Sequence, residues 1–273
     1  MIYDLHSHTT CSDGTLSPAD LIARAAENGV KAFSITDHDT VAAYQDLARQ
    51  AAPTLTVIPG IEFSTQWNGV GIHVVGLNIK LESDAINTGV NYQRTARRTR
   101  AEKIAERLEK AGLKDALAGA TRVAGVAEIS RPHFARYMVE SGFSKSHEHA
   151  FKKFLGAGKP GDIKQLWAEP KQAIAWIRDS GGVAVLAHPH KYRMTRTKLL
   201  ALIDDFVALG LQGMEVLSGS QGKDITGMLR DIAVQRKLLA SVGSDYHGAA
   251  TPWCKPGMHT RLPSACTPVW SVF

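Results

Sequence analysis

Histidine is where the chemistry of this chain concentrates. Seven of its eleven histidines, His6, His8, His38, His73, His188, His190 and His247, fall within or just after short apolar runs of strand character. Carboxylates accompany them: Asp13 after the first run, Asp37 and Asp39 on either side of His38, Glu62 after the third, and Asp245 two residues before His247. His6-x-His8 sets two imidazoles on one side of an extended segment, because side chains alternate with period two. Two neutral imidazoles so placed can share one divalent ion. Asp245-x-His247 repeats the spacing with one oxygen and one nitrogen donor. Singly, each has a plainer reading: Asp39 as the cap of a helix beginning near Thr40, His73 as a core residue of an apolar strand. Glu62 ends a very apolar strand, where an unpaired charge is costly. Together, about six imidazoles and three carboxylates exceed what one zinc ion needs, and two or three ions sharing bridging carboxylates fit the count. No GxSxG context and no Gly-rich phosphate loop occurs.

The elements that must gather these residues are short. Candidate strands are Ile2–His6, Ala32–Thr36, Leu55–Ile61, Gly71–Ile79, Gly182–Ala187, Gly213–Leu217 and Leu239–Gly243. Helix signals lie between several of them. Ser17-Pro18 is a cap followed by proline at the first helical position, ahead of the apolar face Leu21-Ile22-Ala25-Ala26 and the stop at Gly29. Ala173-Ile174-Trp176-Ile177 before Gly181-Gly182 reads the same way, as does Leu199-Leu200-Ile203 between Thr195 and Gly210. Strands alternating with helices predict an α/β fold with a mainly parallel sheet, and seven strands predict a closed barrel. In that architecture the C-terminal ends of the strands gather on one face.

The rhythm breaks from about Asn91 to Leu166, where Arg94, Arg97, Arg98, Lys103 and Arg107 decorate one long helical stretch. Residues 94–166 hold 16 Lys and Arg against 8 Asp and Glu, whereas the rest holds 16 against 18. All the surplus of the net +6 therefore sits in this segment and points to an anionic partner. The expected organisation is a barrel from 1–93 and 167–273, with 94–166 a basic helical insertion covering the active site. The Pro-rich tail from Gly248 is expected to be irregular and to pack through Trp253 and Trp270. Composition excludes wholesale disorder: 44% of the 273 residues are hydrophobic and 21% charged. No apolar run approaches the roughly 20 residues of a membrane span. The start of the chain lacks the basic and apolar regions of a signal peptide. Cys11, Cys254 and Cys266 are too few for a disulfide framework, so a reducing, cytoplasmic setting is expected.

His6-Ser7-His8 with Asp13, Thr36-Asp37-His38, Glu62, His73, Ala187-His188-Pro189 and Ser244-Asp245-Tyr246-His247 together resemble the motifs of the PHP (polymerase and histidinol phosphatase) superfamily. The resemblance runs from residue 1 to about 247. It implies a distorted (β/α)7 barrel with a multinuclear metal site. It assigns His6, His8, Glu62 and Asp245 to one ion, Asp13, His38 and His247 to a second, and Glu62, His73 and His188 to a third, with Glu62 bridging. Asp13 stands where some relatives have histidine, which hardens the second site and favours manganese over zinc, with iron and magnesium as further candidates. The insertion, with Ile129-Ser130-Arg131-Pro132-His133, resembles the branch of nucleoside 3′,5′-bisphosphate phosphatases and 5′→3′ exonucleases acting on short oligonucleotides. Arg131 and His133 would then bind a substrate phosphate, with Lys159 a further candidate.

The activity so implied is metal-dependent hydrolysis of a phosphate ester in a small nucleotide or short oligonucleotide, with no membrane and no protein partner implied. Asp37 or Asp245 is the candidate to accept a proton from water, and His188 or His247 to assist the leaving alkoxide. Two other readings remain open. An amidohydrolase-like barrel also opens with HxH but commonly carries a strand-end lysine, and Glu62 takes the bridging place here. A nucleic-acid-binding module with a structural metal would not need nine ligands around several ions.

Overall fold

A computed structural model describes residues 1–48, 55–163, 166–248, 254–259 and 261–273. Along the chain the elements run β1 (Tyr3–Asp4), α1 (Pro18–Glu27), β2 (Ala32–Phe33), α2 (Ala42–Leu47), β3 (Thr56–Val57), β4 (Gly60–Trp67), β5 (Val70–Leu77), α3 (Asp84–Lys110), α4 (Ala116–Ala124), α5 (Arg131–Glu140), α6 (His147–Ala150), α7 (Pro170–Asp179), β6 (Val183–Leu186), α8 (Arg196–Ala208), β7 (Gly213–Ser218), α9 (Lys223–Gln235) and β8 (Leu239–Gly243). They divide into two units, Met1–Val90 with Ala168–Phe273, and Asn91–Trp167.

The first unit is α/β. Ser17 caps α1 by accepting the Asp20 N–H, Pro18 follows, and Leu21, Ile22 and Ala25 are buried. Strands β1-β2-β3 form one sheet and β4-β5-β6-β7-β8 another. The Leu5 N–H donates to Val242 O and the Asp245 N–H to His6 O, while the Glu62 N–H donates to Asp37 O and the Asp39 N–H to Glu62 O. These bonds join β1 to β8 and the end of β2 to β4, so the two sheets close on each other.

Part of the sheet departs from the parallel expectation. β1-β2-β3 and β6-β7-β8 are parallel, but β4-β5 and β5-β6 pair antiparallel. The cause is Asn68-Gly69. With Trp67 opposite Val70, these two residues form a hairpin loop at φ 46 and 78, the pair of positive values that Asn-Gly adopts readily. The expected strand Leu55–Ile61 is likewise divided at Pro59, where β3 ends and β4 begins.

Ile61, Phe63, Ile72 and Val74 of the hairpin pack with Ile174 and Ile177 of α7, Leu202, Ile203 and Phe206 of α8, and Leu229 and Ile232 of α9. Each such side chain contributes roughly 1.5–3 kcal/mol by leaving water, which fixes the barrel wall on which the polar residues stand. In the tail, Trp270 stacks on Tyr3 at 4.0 Å between ring centroids; Trp253 lies outside the described residues.

The second unit has a core of its own, built from Ile104 and Leu108 of α3 with Leu113, Phe134, Met138 and Leu155. Arg97 and Arg100 do not decorate its surface. Both are buried, each guanidinium lies 5.1 Å from the Trp167 ring centroid, and Arg100 Nε donates to Ile163 O at 2.9 Å. Arg94, Arg98, Lys103 and Arg107 are exposed. Among the described residues no helix is long and apolar enough to cross a membrane.

Candidate metal centre

Beyond β1 the chain stays extended along β8, and His6 and His8 are buried on the same side of it. Gly243 permits the approach: a Cβ there would stand 2.3 Å from the His6 Cβ. His6 Nε2 and His8 Nε2 are 3.1 Å apart, and they lie 3.5 and 3.3 Å from Asp245 Oδ1. Each is also 3.4 Å from an oxygen of Glu62.

Glu62, third in β4 and 0% exposed, is the hub. Its Oε1 lies 3.0 Å from His73 Nδ1 and 3.1 Å from His188 Nε2, and its Oε2 lies 2.8 Å from His38 Nδ1. His73 reaches it because β5 runs antiparallel to β4; it is fourth in its strand, not at the strand's end. Asp13 lies 3.3 Å from His247 Nε2 and 3.8 Å from His38 Nε2. The nine residues expected as ligands thus meet in four overlapping groups: His8, Asp13, His38 and His247; His6, Glu62 and His188; His6, His8 and Asp245; His38, Glu62 and His73. Within each group the donor atoms lie within 4.8 Å of one another. His190, on the turn after His188, belongs to none of these groups.

A second layer orients them. Glu215 Oε1 accepts from His6 Nδ1 at 2.6 Å, and its Oε2 accepts from the His188 N–H at 2.5 Å. Asp37 stands apart from the groups. Its Oδ1 accepts from the Thr9 N–H and Ser12 Oγ, and its Oδ2 from Thr9 Oγ1, so its carboxylate ties down the loop that carries Asp13. Asp39 accepts the Ser64 N–H rather than capping α2, whose N-cap is Val41. Lys191 Nζ donates to Asp245 Oδ2.

This donor set suits divalent cations. Burial alone would raise the Glu62 carboxyl, but the imidazoles of His38, His73 and His6 hold it well below the usual carboxylate range. Burial, with His247 and His38 alongside, pushes His8 down to about 3, leaving the neutral ring that a metal ligand must be. His8 Nδ1 and His188 Nδ1 are buried without a hydrogen-bond partner. Mixed imidazole nitrogen and carboxylate oxygen is the set that manganese, iron and zinc accept.

The residues expected on the substrate lie in the helical unit. Arg131 opens α5, donates from Nη1 to Leu155 O at 3.1 Å and lies over the Phe151 ring. His133 is 2% exposed and its Nδ1 accepts the Ser130 N–H at 3.0 Å, completing a capping box. Lys159 is exposed. Sequence reasoning missed Glu215 and Lys191. A carboxylate inside the apolar run Met214-Glu215-Val216-Leu217 was a usable signal; Lys191 left none beyond its place three residues after His188.

The family model of the PHP domain matches residues 4–114. The 5′-3′ exoribonuclease Rnm of Escherichia coli is 42% identical over 277 residues, covering 100% of this chain and 94% of that one. The chain belongs to the PHP family. The 3′,5′-nucleoside bisphosphate phosphatase of Chromobacterium violaceum is 39% identical to this PHP protein, over 98% of its length and 94% of the relative's. The solved structure of an amidohydrolase from the same species, with bound sulfate and no metal, matches it with a TM-score of 0.89 at 38% identity, covering 99% of this chain and 95% of that one. This PHP protein is a metal-dependent phosphoesterase whose His, Asp and Glu clusters can bind metal.

Proposed function

We propose that this phosphoesterase releases phosphate from nucleoside 3′,5′-bisphosphates and trims short oligonucleotides from the 5′ end. The observation that carries the reading is the gathering of nine donors about Glu62, in a chain similar over its whole length to two enzymes with those printed activities. Two or three divalent ions, manganese foremost because Asp13 hardens one group, fit the donors. Such cations supply Lewis acidity, offsetting charge on phosphoryl oxygens and making water a nucleophile near neutral pH.

The chain's own residues do the rest. Glu215 holds the His6 ring so that Nε2 faces the centre. His247 Nδ1 donates to the Asp245 carbonyl oxygen at 3.0 Å, which turns Nε2 toward Asp13. At 36% side-chain exposure against 9% for His188, His247 is the more open of the two donors to an incoming phosphate ester. Asp37, committed to Thr9 and Ser12, takes no part in proton transfer. Arg131 and Lys159 bind the substrate's second phosphate, which accords with the surplus positive charge of 94–166, while buried His133 holds the turn before Arg131 through Ser130. The free thiols of Cys11, Cys254 and Cys266 accord with a reducing cytoplasm.

The test is a manganese-supplemented panel of nucleoside 3′,5′-bisphosphate, histidinol phosphate, short RNA and an acyl amide. Turnover of the bisphosphate and the RNA well above the other two is expected. Preference for the amide would overturn the reading in favour of the amidohydrolase-like one.

A further inference from the structure

One cationic side chain at the centre has no place in the scheme above. Lys191 sits on the 3₁₀ turn Pro189–Tyr192, which His188 enters at φ 27. Tyr192 fixes that turn to the wall: its hydroxyl donates to Ala187 O at 2.8 Å and accepts the His73 N–H at 3.0 Å. The base of Lys191 is therefore set by the ligand strands, while its side chain remains 44% exposed. Its ammonium reaches Asp245 Oδ2, and the other oxygen of that carboxylate faces His6 and His8. Gly219, at φ +52, lies beside the ammonium: a Cβ there would stand 3.8 Å from Nζ, an ordinary contact.

We propose that Lys191 has two working positions, its ammonium holding Asp245 when the centre lacks cations and gripping a phosphoryl oxygen when it has them. The proposal rests on the phosphoesterase reading of the site. Asp245 Oδ2 serves an ammonium or a divalent cation, and a cation bound at that carboxylate repels a second positive charge a few ångströms away. Lysine has four rotatable bonds and solvent on one side, so it can swing. The nearest anion is then the substrate's phosphoryl group, which an ammonium binds through a charge-assisted hydrogen bond. One residue would thus oppose metal binding and favour phosphate binding, a combination that a packing role does not produce.

The experiment titrates manganese into metal-stripped protein, and inorganic phosphate into the manganese-loaded protein, by calorimetry. Wild type is compared with Lys191→Met, which keeps the stem, and Lys191→Arg, which keeps the charge. Lys191→Met should bind manganese roughly 3-fold more tightly, the worth of a part-exposed ion pair. It should bind phosphate about 10-fold or more weakly, the worth of a charged hydrogen bond. Lys191→Arg should recover phosphate binding. Equal phosphate affinity in wild type and Lys191→Met, or weaker manganese binding in Lys191→Met, overturns the proposal. Because phosphate is titrated without nucleotide, a protein that hydrolyses no nucleotide yet loses phosphate affinity in Lys191→Met would sink the substrate reading alone.

Discussion

Glu215 and His6 form a 2.6 Å hydrogen bond at the floor of the metal centre, and the second oxygen of the same carboxylate holds the His188 N–H. Two candidate ligands far apart in sequence, His6 and His188, are thereby oriented by one buried side chain that need not touch a cation. Replacing it by alanine frees the His6 ring and strands a buried N–H. Glu215→Ala should lose about 10–100-fold in manganese affinity, with much of kcat recovered at saturating metal. Unchanged affinity would show that β1 and β6 hold these ligands unaided.

Metal removal should be felt by the whole barrel. A cation at 100 times its dissociation constant adds about 2.7 kcal/mol to stability. Chelation should therefore lower Tm by about 5–10 °C, reversibly on adding manganese. In Glu62→Gln, which keeps the shape of the hub and removes its charge, the shift on adding manganese should vanish and activity should fall by more than about 100-fold. A Glu62→Gln protein that melts and turns over like wild type would remove Glu62 from the centre.

Asp37 separates a structural from a chemical role. In Asp37→Asn an amide NH2 must face a hydroxyl or N–H donor from Thr9 or Ser12, at a cost of about 1–3 kcal/mol. Stability should drop while both limbs of the kcat/KM pH profile stay where they are. Loss of one limb would return proton transfer to Asp37.

Arg131→Ala and Lys159→Ala probe the helical unit. Each should raise KM for a nucleoside 3′,5′-bisphosphate by about 10-fold and leave a simple monophosphate unaffected. Lys159, being exposed, should do so without changing Tm. Arg131 also supports Leu155, so its melting point must be read beside its KM. An equal loss on both substrates argues against a second-phosphate site.

The nine candidate donors could be picked out in the sequence because chemistry imposes residue types at such a cluster: imidazoles and carboxylates at the ends of apolar runs have few other uses. The wall was less legible. Asn68-Gly69 reverses the chain between two runs that the sequence separates but does not pair, so the antiparallel hairpin that brings His73 to Glu62 came only with the structure. Arg97 looked like surface charge because nothing local announces that Trp167, tens of residues away, will accept it. Glu215 is the sharper lesson: a second-layer carboxylate carries no motif, only the oddity of an acid in an oily strand.

The seam between β1 and β8 governs when the centre can exist at all. On a ribosome, His6, His8 and Asp13 are made first, and Asp245 and His247 follow more than 200 residues later. Whatever cation the early donors meet in transit can be held only loosely, since Glu62, His188, Asp245 and His247 have yet to be translated. Full coordination is reserved for a chain that has already shut its ring, so tight metal uptake marks a finished molecule.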